Sequence, residues 1–193
     1  MNPNDRVGIN LSEAVSKVAA AMREITVRVS GSNGRHGSGT VWRSPGLILT
    51  NAHVANSQVH EVDFADGTRA PGWLVARDRE IDLAALAVSA PIRRYATIRS
   101  ACGLRTGEMV LALGNPCDGH GSVTTGIVHR PVGKSPWIFS DIRLAPGNSG
   151  GPLAESTGAV VGINSMIVGS LGCAITAEAV EEFLTRFHLA EAA

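Results

Sequence analysis

The chain has no excess of either charge: 17 Lys and Arg balance 17 Asp and Glu over 193 residues. No overall field therefore draws nucleic acid or an anionic membrane surface, and neither is expected as a partner. Long hydrophobic runs are missing too. The longest, such as Leu83 to Val88, fall far short of a bilayer span. The first residues, Met1-Asn2-Pro3-Asn4-Asp5-Arg6, have neither the basic nor the apolar region of a secretory signal, which makes the cytoplasm the expected location. Cysteine is scarce. Cys102, Cys117 and Cys173 cannot form a full disulfide framework, none has CxxC spacing, and all are expected as small buried hydrophobes. No His/Cys/Asp cluster has ligand spacing, so neither a metal nor another cofactor is expected. Internal repeats and low-complexity segments are absent as well.

What is present is apolar material in short pieces. At 44% hydrophobic the chain can bury a sizeable core, in one or two domains by length. Asn10-Leu11-Ser12-Glu13 reads as a helix start, with Asn10 as cap. Leu11, Val15, Val18 and Met22 then recur at helical spacing. Ile25 to Ser30 alternates like a half-buried strand, and the glycine-rich stretch Gly31 to Gly39 reads as a loop or hairpin tip. Further strands are predicted at 40–43, 47–50, 59–64, 73–77 and 83–88. After a linker at 91–107 a second set follows at 109–113, 123–129, 137–140, 152–154, 159–164 and 173–175. Thr176 caps a closing helix, with Val180, Phe183, Leu184 and Phe187 as its apolar stripe. Two groups of short strands argue for two antiparallel barrels or sandwiches. The expected division is a helical segment at 1–24, a first β-unit at 25–95 and a second at 96–193.

One string stands out: Pro146-Gly147-Asn148-Ser149-Gly150-Gly151-Pro152. It puts a serine on a tight turn where its hydroxyl can be exposed and backbone N–H groups can converge. Upstream lie Thr50-Asn51-Ala52-His53-Val54 and Ile81-Asp82-Leu83. A serine hydroxyl needs a base to take its proton, and the base needs a partner that fixes its tautomer. Ser149 is the nucleophile of such a set, His53 the base and Asp82 the orienter. His36, His60, His120, His129 and His188 compete with His53, but only His53 follows a strand with Thr-Asn-Ala before it. Asp63 falls in a strand, Asp66 in a turn, and Asp78 is flanked by charge and expected to be solvated. Asp82 opens an apolar strand, which suits a partly buried carboxylate. The backbone N–H groups of Gly147 and Ser149 form the expected oxyanion hole.

These strings, with Leu113-Gly114-Asn115-Pro116, Val123-Thr124-Thr125-Gly126-Ile127-Val128 and Gly162-Ile163-Asn164, resemble the trypsin-like (chymotrypsin-fold) serine proteases. Within that group they are most similar to the HtrA/Deg branch, over roughly Ile25 to Leu184. The resemblance implies an all-β fold of two antiparallel six-stranded barrels, with short N- and C-terminal helices and the site between the barrels. It implies a protein or peptide substrate and leaves room for a regulatory partner protein. No PDZ domain follows before Ala193, so sensing of peptide termini is not expected. HtrA trimers use aromatic residues near the N-terminus, and none precedes Trp42, so the oligomeric state stays open. Asn148 replaces the aspartate of digestive relatives, which implies activity without N-terminal processing.

The resemblance places the primary pocket at Arg143, Leu144, Ser165, Met166, Ile167 and Gly172. Leu144, Met166 and Ile167 suggest an apolar pocket. An inward Arg143 would favour an acidic side chain, whereas an outward one would pair with Asp141. The cost of burying an unpaired guanidinium favours the outward position. Extended substrate would pair along Ser165 to Ile167. The main alternative to a peptidase is a latent or non-catalytic interaction module on the same fold, and an esterase is a weaker third reading.

Overall fold

The computed structural model describes residues 3–31, 34, 36–115 and 121–189. Its first six strands are β1 (Thr26–Ser30), β2 (His36–Arg43), β3 (Leu47–Thr50), β4 (Val59–Asp63), β5 (Arg69–Asp78) and β6 (Leu83–Val88). They close into an antiparallel barrel in the order β1-β2-β3-β6-β5-β4. The interior is filled by β-branched and leucine side chains such as Val27, Val29, Val41, Ile48, Val62 and Leu86. Such residues fit a pleated, buried surface, and each one buried contributes about 1.5–3 kcal/mol.

The second set is β7 (Met109–Gly114), β8 (Ser122–Ile127), β9 (Trp137–Ser140), β10 (Pro152–Glu155), β11 (Val160–Val168) and β12 (Leu171–Thr176). It forms a six-stranded antiparallel sheet in the order β8-β7-β10-β11-β12-β9. The outer strands nearly meet. Val128 bridges to Ser140, and the His129 N–H donates to the Phe139 carbonyl at 2.8 Å. The sheet is thus barrel-like, and the expected chymotrypsin-like, all-β architecture is the one formed.

Between the two units lies a third apolar cluster. Trp42, Leu49 and Leu83 of the first meet Ile163 and Ile175 of the second, with Phe183 and Leu184 of α2 (Ala177–Arg186) closing it. Glu181 of α2 accepts from the Trp42 indole at 3.0 Å and from Arg43 at 2.5 Å. The C-terminal helix therefore clamps the two units. Thr176 caps it as expected, accepting from the Ala179 N–H at 3.2 Å. Phe187 falls past its last turn and is 38% exposed.

Several expectations are corrected. The N-terminal helix α1 runs Pro3–Glu24, so Asn10 lies inside it rather than capping it. Pro3 suits a first helical position, where no N–H is needed. Met22, Val15 and Val18 dock on Leu111, Leu113 and Ala154, while Leu11 is left exposed. The glycine-rich stretch expected as a loop or hairpin tip is strand from His36 on. Its glycines mark close packing: a Cβ at Gly37 would lie 2.7 Å from Val54, and one at Gly39 2.7 Å from Ile48. Cys102 is exposed, Cys173 is buried, and Cys117 lies outside the described residues, as do Pro116 and His120. Asp78 is drawn in rather than solvated. It pairs with Arg186 and accepts from the Glu80 N–H at 2.7 Å.

Candidate active site

The first barrel brings His53 and Asp82 together. After β3, the Asn51 carbonyl accepts from the Val54 and Ala55 N–H groups at 3.1 and 3.0 Å, which bends the chain into a tight turn. Asp82 precedes β6 with φ 58°, a left-handed conformation that aspartate tolerates better than most residues. Its carbonyl accepts from the Ala52 N–H at 3.2 Å and from the buried Asn51 amide at 2.9 Å. That pair of bonds holds the unusual backbone. It also aims the carboxylate at the His53 ring, whose Nδ1 stands 3.0 and 2.9 Å from the two carboxylate oxygens. A carboxylate facing Nδ1 favours the tautomer with the proton there, leaving Nε2 as an acceptor.

The Asp82 carboxylate has two more donors, the His53 backbone N–H at 3.1 Å and the Ser165 hydroxyl at 2.6 Å. Burial pushes this carboxyl up. The hydrogen bonds from the His53 ring and Ser165, with the His53 charge, outweigh burial and hold it below the ordinary 3.8.

The second unit supplies the serine. Ala145-Pro146-Gly147-Asn148 is a turn closed by the Asn148 N–H on the Ala145 carbonyl at 3.0 Å. Proline in its second position and Gly147 at φ 102° in its third are the pattern of a type II turn. Downstream, the Gly150 N–H donates to the Asn164 carbonyl at 2.8 Å, and the Asn164 N–H returns to Gly151 at 2.9 Å. Two residues of the first barrel hold the same turn from the other side, and a third braces them. Ser38 donates its N–H to the Ser149 carbonyl at 2.8 Å and its hydroxyl to the Gly147 carbonyl at 2.6 Å. Thr40 donates to the Gly150 carbonyl at 3.0 Å, and Thr50 to the Ser38 carbonyl at 2.6 Å. With these carbonyls engaged, the Gly147 and Ser149 N–H groups find no acceptor among the described residues.

His53 and Ser149 line one cleft of about 440 Å³, together with His36, Val54, Pro146 and Gly147. The Ser149 hydroxyl itself donates to the Ser165 carbonyl at 3.0 Å rather than to the His53 ring. A larger cleft of about 690 Å³ runs beside α2 and contains none of these groups.

The residues expected around the primary pocket divide. Leu144 packs beside Gly172, where a Cβ would come within 3.3 Å of it. Met166 and Ile167 are exposed with Val168 on the outer end of β11. Ser165 is buried, with its hydroxyl on Asp82. Arg143 is exposed and has no partner among the described residues. Asp141 does not pair with it but accepts from the Ile127 N–H at 2.7 Å. Asn148 is buried with its side-chain amide unpartnered among the described residues. Sequence reasoning missed Ser38, Thr40, Asn51 and Asn164 as site residues. The available signals were Asn51, inside the string that carries His53, and Asn164, inside Gly162-Ile163-Asn164.

Comparison with known proteins fits this arrangement. Residues 37–163 match the family model of the trypsin-like peptidase domain. The probable periplasmic serine endoprotease DegP-like of Brucella suis is 38% identical over 151 residues, which are 72% of this chain and 29% of that protein. Serine protease HTRA1B of Danio rerio is 34% identical over 197 residues, 92% of this chain and 41% of its own length. Mitochondrial serine protease HTRA2 of Drosophila ananassae is 33% identical over 165 residues, 78% of this chain and 39% of its own. The chain belongs to the trypsin-like peptidase family, on its HtrA branch. It spans less than half the length of these curated relatives. The expected cytoplasmic location is overturned, since the relatives are named as periplasmic and mitochondrial proteins. That expectation read an address from what six residues lack, and such a lack carries none.

Proposed function

We propose that the chain is a serine endopeptidase whose triad is His53, Asp82 and Ser149. Residues 25–95 carry the base and its orienter, and 96–193 carry the nucleophile. The Ser149 oxygen attacks the substrate carbonyl while His53 Nε2 takes its proton. The resulting oxyanion is received by the Gly147 and Ser149 N–H groups, each worth about 3–4 kcal/mol in comparable sites. His53 then returns the proton to the departing amine, leaving an acyl-enzyme that water hydrolyses by the same route. Leu144, Met166 and Ile167 give an apolar primary pocket, and an exposed Arg143 leaves it uncharged.

The observation that carries this reading is the Asp82 carboxylate caught between the His53 Nδ1 at 2.9 Å and the Ser165 hydroxyl at 2.6 Å. A structural carboxylate has no need of a solvent-exposed imidazole. One observation favours a latent state instead: the Ser149 hydroxyl rests on the Ser165 carbonyl. Catalytic hydrogen bonds often tighten only with substrate bound, so the resting contact is compatible with activity.

A fluorophosphonate probe on the full chain tests both. Labelling of Ser149, with peptide hydrolysis lost in Ser149→Ala and stability changed by less than about 1 kcal/mol, is the expected result. Absence of labelling favours the latent or non-catalytic module. A peptide library then reads the pocket, and selection for Asp or Glu before the cleaved bond would refute its apolar character.

A further inference from the structure

Four residues form a row across one face of the first barrel, running from Ser38, which touches the Ser149 turn, out to Arg69. The strand register sets Ser38 opposite Arg28, Arg28 opposite Asp63, and Asp63 opposite Arg69. Residues so paired share one face of a sheet. A third cleft, of about 330 Å³, opens over Arg28, Asp63 and Arg69 of this row where the first barrel meets the second unit. Arg23, Arg28, Arg69, Asp63, Leu113 and Asn115 are among the residues lining it.

Its charges do not cancel. Asp63 is the one carboxylate among the described lining residues, against three guanidinium groups. Asp63 faces Arg69 Nε at 3.0 Å. Among the described residues Arg23 reaches only a neutral carbonyl, that of Gly121, at 3.3 Å. Arg28 is half-buried and its guanidinium has no hydrogen bond or ion pair among the described residues, although Asp63 lies directly opposite. A partly desolvated guanidinium beside two others is unfavourable without a counter-charge. Its planar fork of donors matches the two oxygens of a carboxylate or phosphate.

We propose that this cleft binds a small oxyanion, a carboxylate or a phosphate, gripped by Arg28 with Arg23 and Arg69, and that its occupancy acts on the Ser149 turn through Ser38. The route is short. Asn115, in the cleft wall, donates its N–H to the Ser38 hydroxyl at 2.8 Å, and that hydroxyl donates to the Gly147 carbonyl at 2.6 Å. An anion that draws Arg28 and the Asn115 backbone toward itself moves the group that fixes Gly147. Binding stands apart from the peptidase reading, whereas the effect on the turn rests on it.

The test titrates the full chain with inorganic phosphate and, separately, with succinate, at ionic strength held constant with chloride. Binding is followed by phosphorus NMR and by calorimetry. Saturable binding of at least one of the two is expected, weakened at least tenfold by Arg28→Gln and also weakened by Arg23→Gln, which changes an exposed residue. Arg105→Gln, an exposed arginine outside the cleft, should leave it unchanged. The two titrations decide between phosphate and carboxylate. No binding, or equal loss in all three variants, overturns the site. The same samples are then labelled with fluorophosphonate. A labelling rate that changes at least twofold with the anion in the native chain, and not in Arg28→Gln, supports the coupling. A rate indifferent to bound anion overturns it. Complete absence of labelling overturns the peptidase reading and leaves the binding result to decide the site.

Discussion

The two halves of the candidate site are held in different ways. His53 and Asp82 are fixed by bonds within the first barrel: Asn51 and Ala52 on the Asp82 carbonyl, and the His53 N–H on its carboxylate. Ser165 is their one hydrogen-bonded tie to the second unit among the described residues. The Ser149 turn is the reverse. The carbonyls of Gly147, Ser149 and Gly150 are all held by Ser38 and Thr40 of the other barrel. The His53–Asp82 pair is thus a property of one barrel, and the Ser149 turn a property of the seam. Loosening the seam should spare the His53–Asp82 contact and disorganise the Gly147 and Ser149 N–H groups.

The most damaging change for the first half should be Asp82→Asn. It keeps the shape but offers Nδ1 an amide, which permits the wrong imidazole tautomer. A loss of about 10,000-fold in kcat is expected, as for comparable pairs. A kcat within tenfold of the native value would show that Asp82 is not the orienter.

For the second half, Gly150→Ala comes next. Gly150 has φ 89°, and a Cβ there would lie 2.0 Å from the Ser38 carbonyl and 2.4 Å from the Thr50 hydroxyl. Both neighbours belong to the seam and neither is a flexible chain end. A stability loss of about 3 kcal/mol or more, read from the denaturant midpoint, should accompany loss of probe labelling. Ser38→Ala is gentler. It strands the Gly147 carbonyl and the Asn115 N–H, for about 1–3 kcal/mol. Labelling should slow by about 10- to 100-fold, the scale of a misplaced catalytic group. If Ser38→Ala labels as fast as the native chain, the seam does not set the turn.

The contrast also explains what could be read in advance. Strands 47–50, 83–88 and 137–140 were legible to the residue because their patterns are local. His53, Asp82 and Ser149 stood out as candidates because each sits in a distinctive string. Ser38 was not, because its role depends on a residue 109 positions away and a lone serine between glycines carries no sign of it. The glycines at 37 and 39 misled for the same reason. They answer to Val54 and Ile48 across the fold, whereas the rule applied to them concerns turns. The outward position of Arg143 followed from the cost of desolvation, yet its expected partner Asp141 is held by the Ile127 N–H.

Ser165 is where the two halves touch, and Ser165→Ala has the smallest expected effect and the clearest sign. Asp82 is lowered below its ordinary 3.8 although burial opposes this, and the Ser165 hydroxyl is one of the donors responsible. A carboxyl lowered in the folded state adds stability that is fully present above its unfolded value. That stability is lost as pH falls through the folded value. Removing the hydroxyl brings the folded value back toward 3.8, so the variant gives up part of that stability. The stability difference between native chain and variant should therefore be greatest above about pH 5 and shrink toward about pH 2, as the carboxylate protonates in both. Unfolding midpoints across that range measure it. A difference that stays constant would mean that Ser165 acts by packing alone, and the second unit would then have no electrostatic hold on the His53–Asp82 pair.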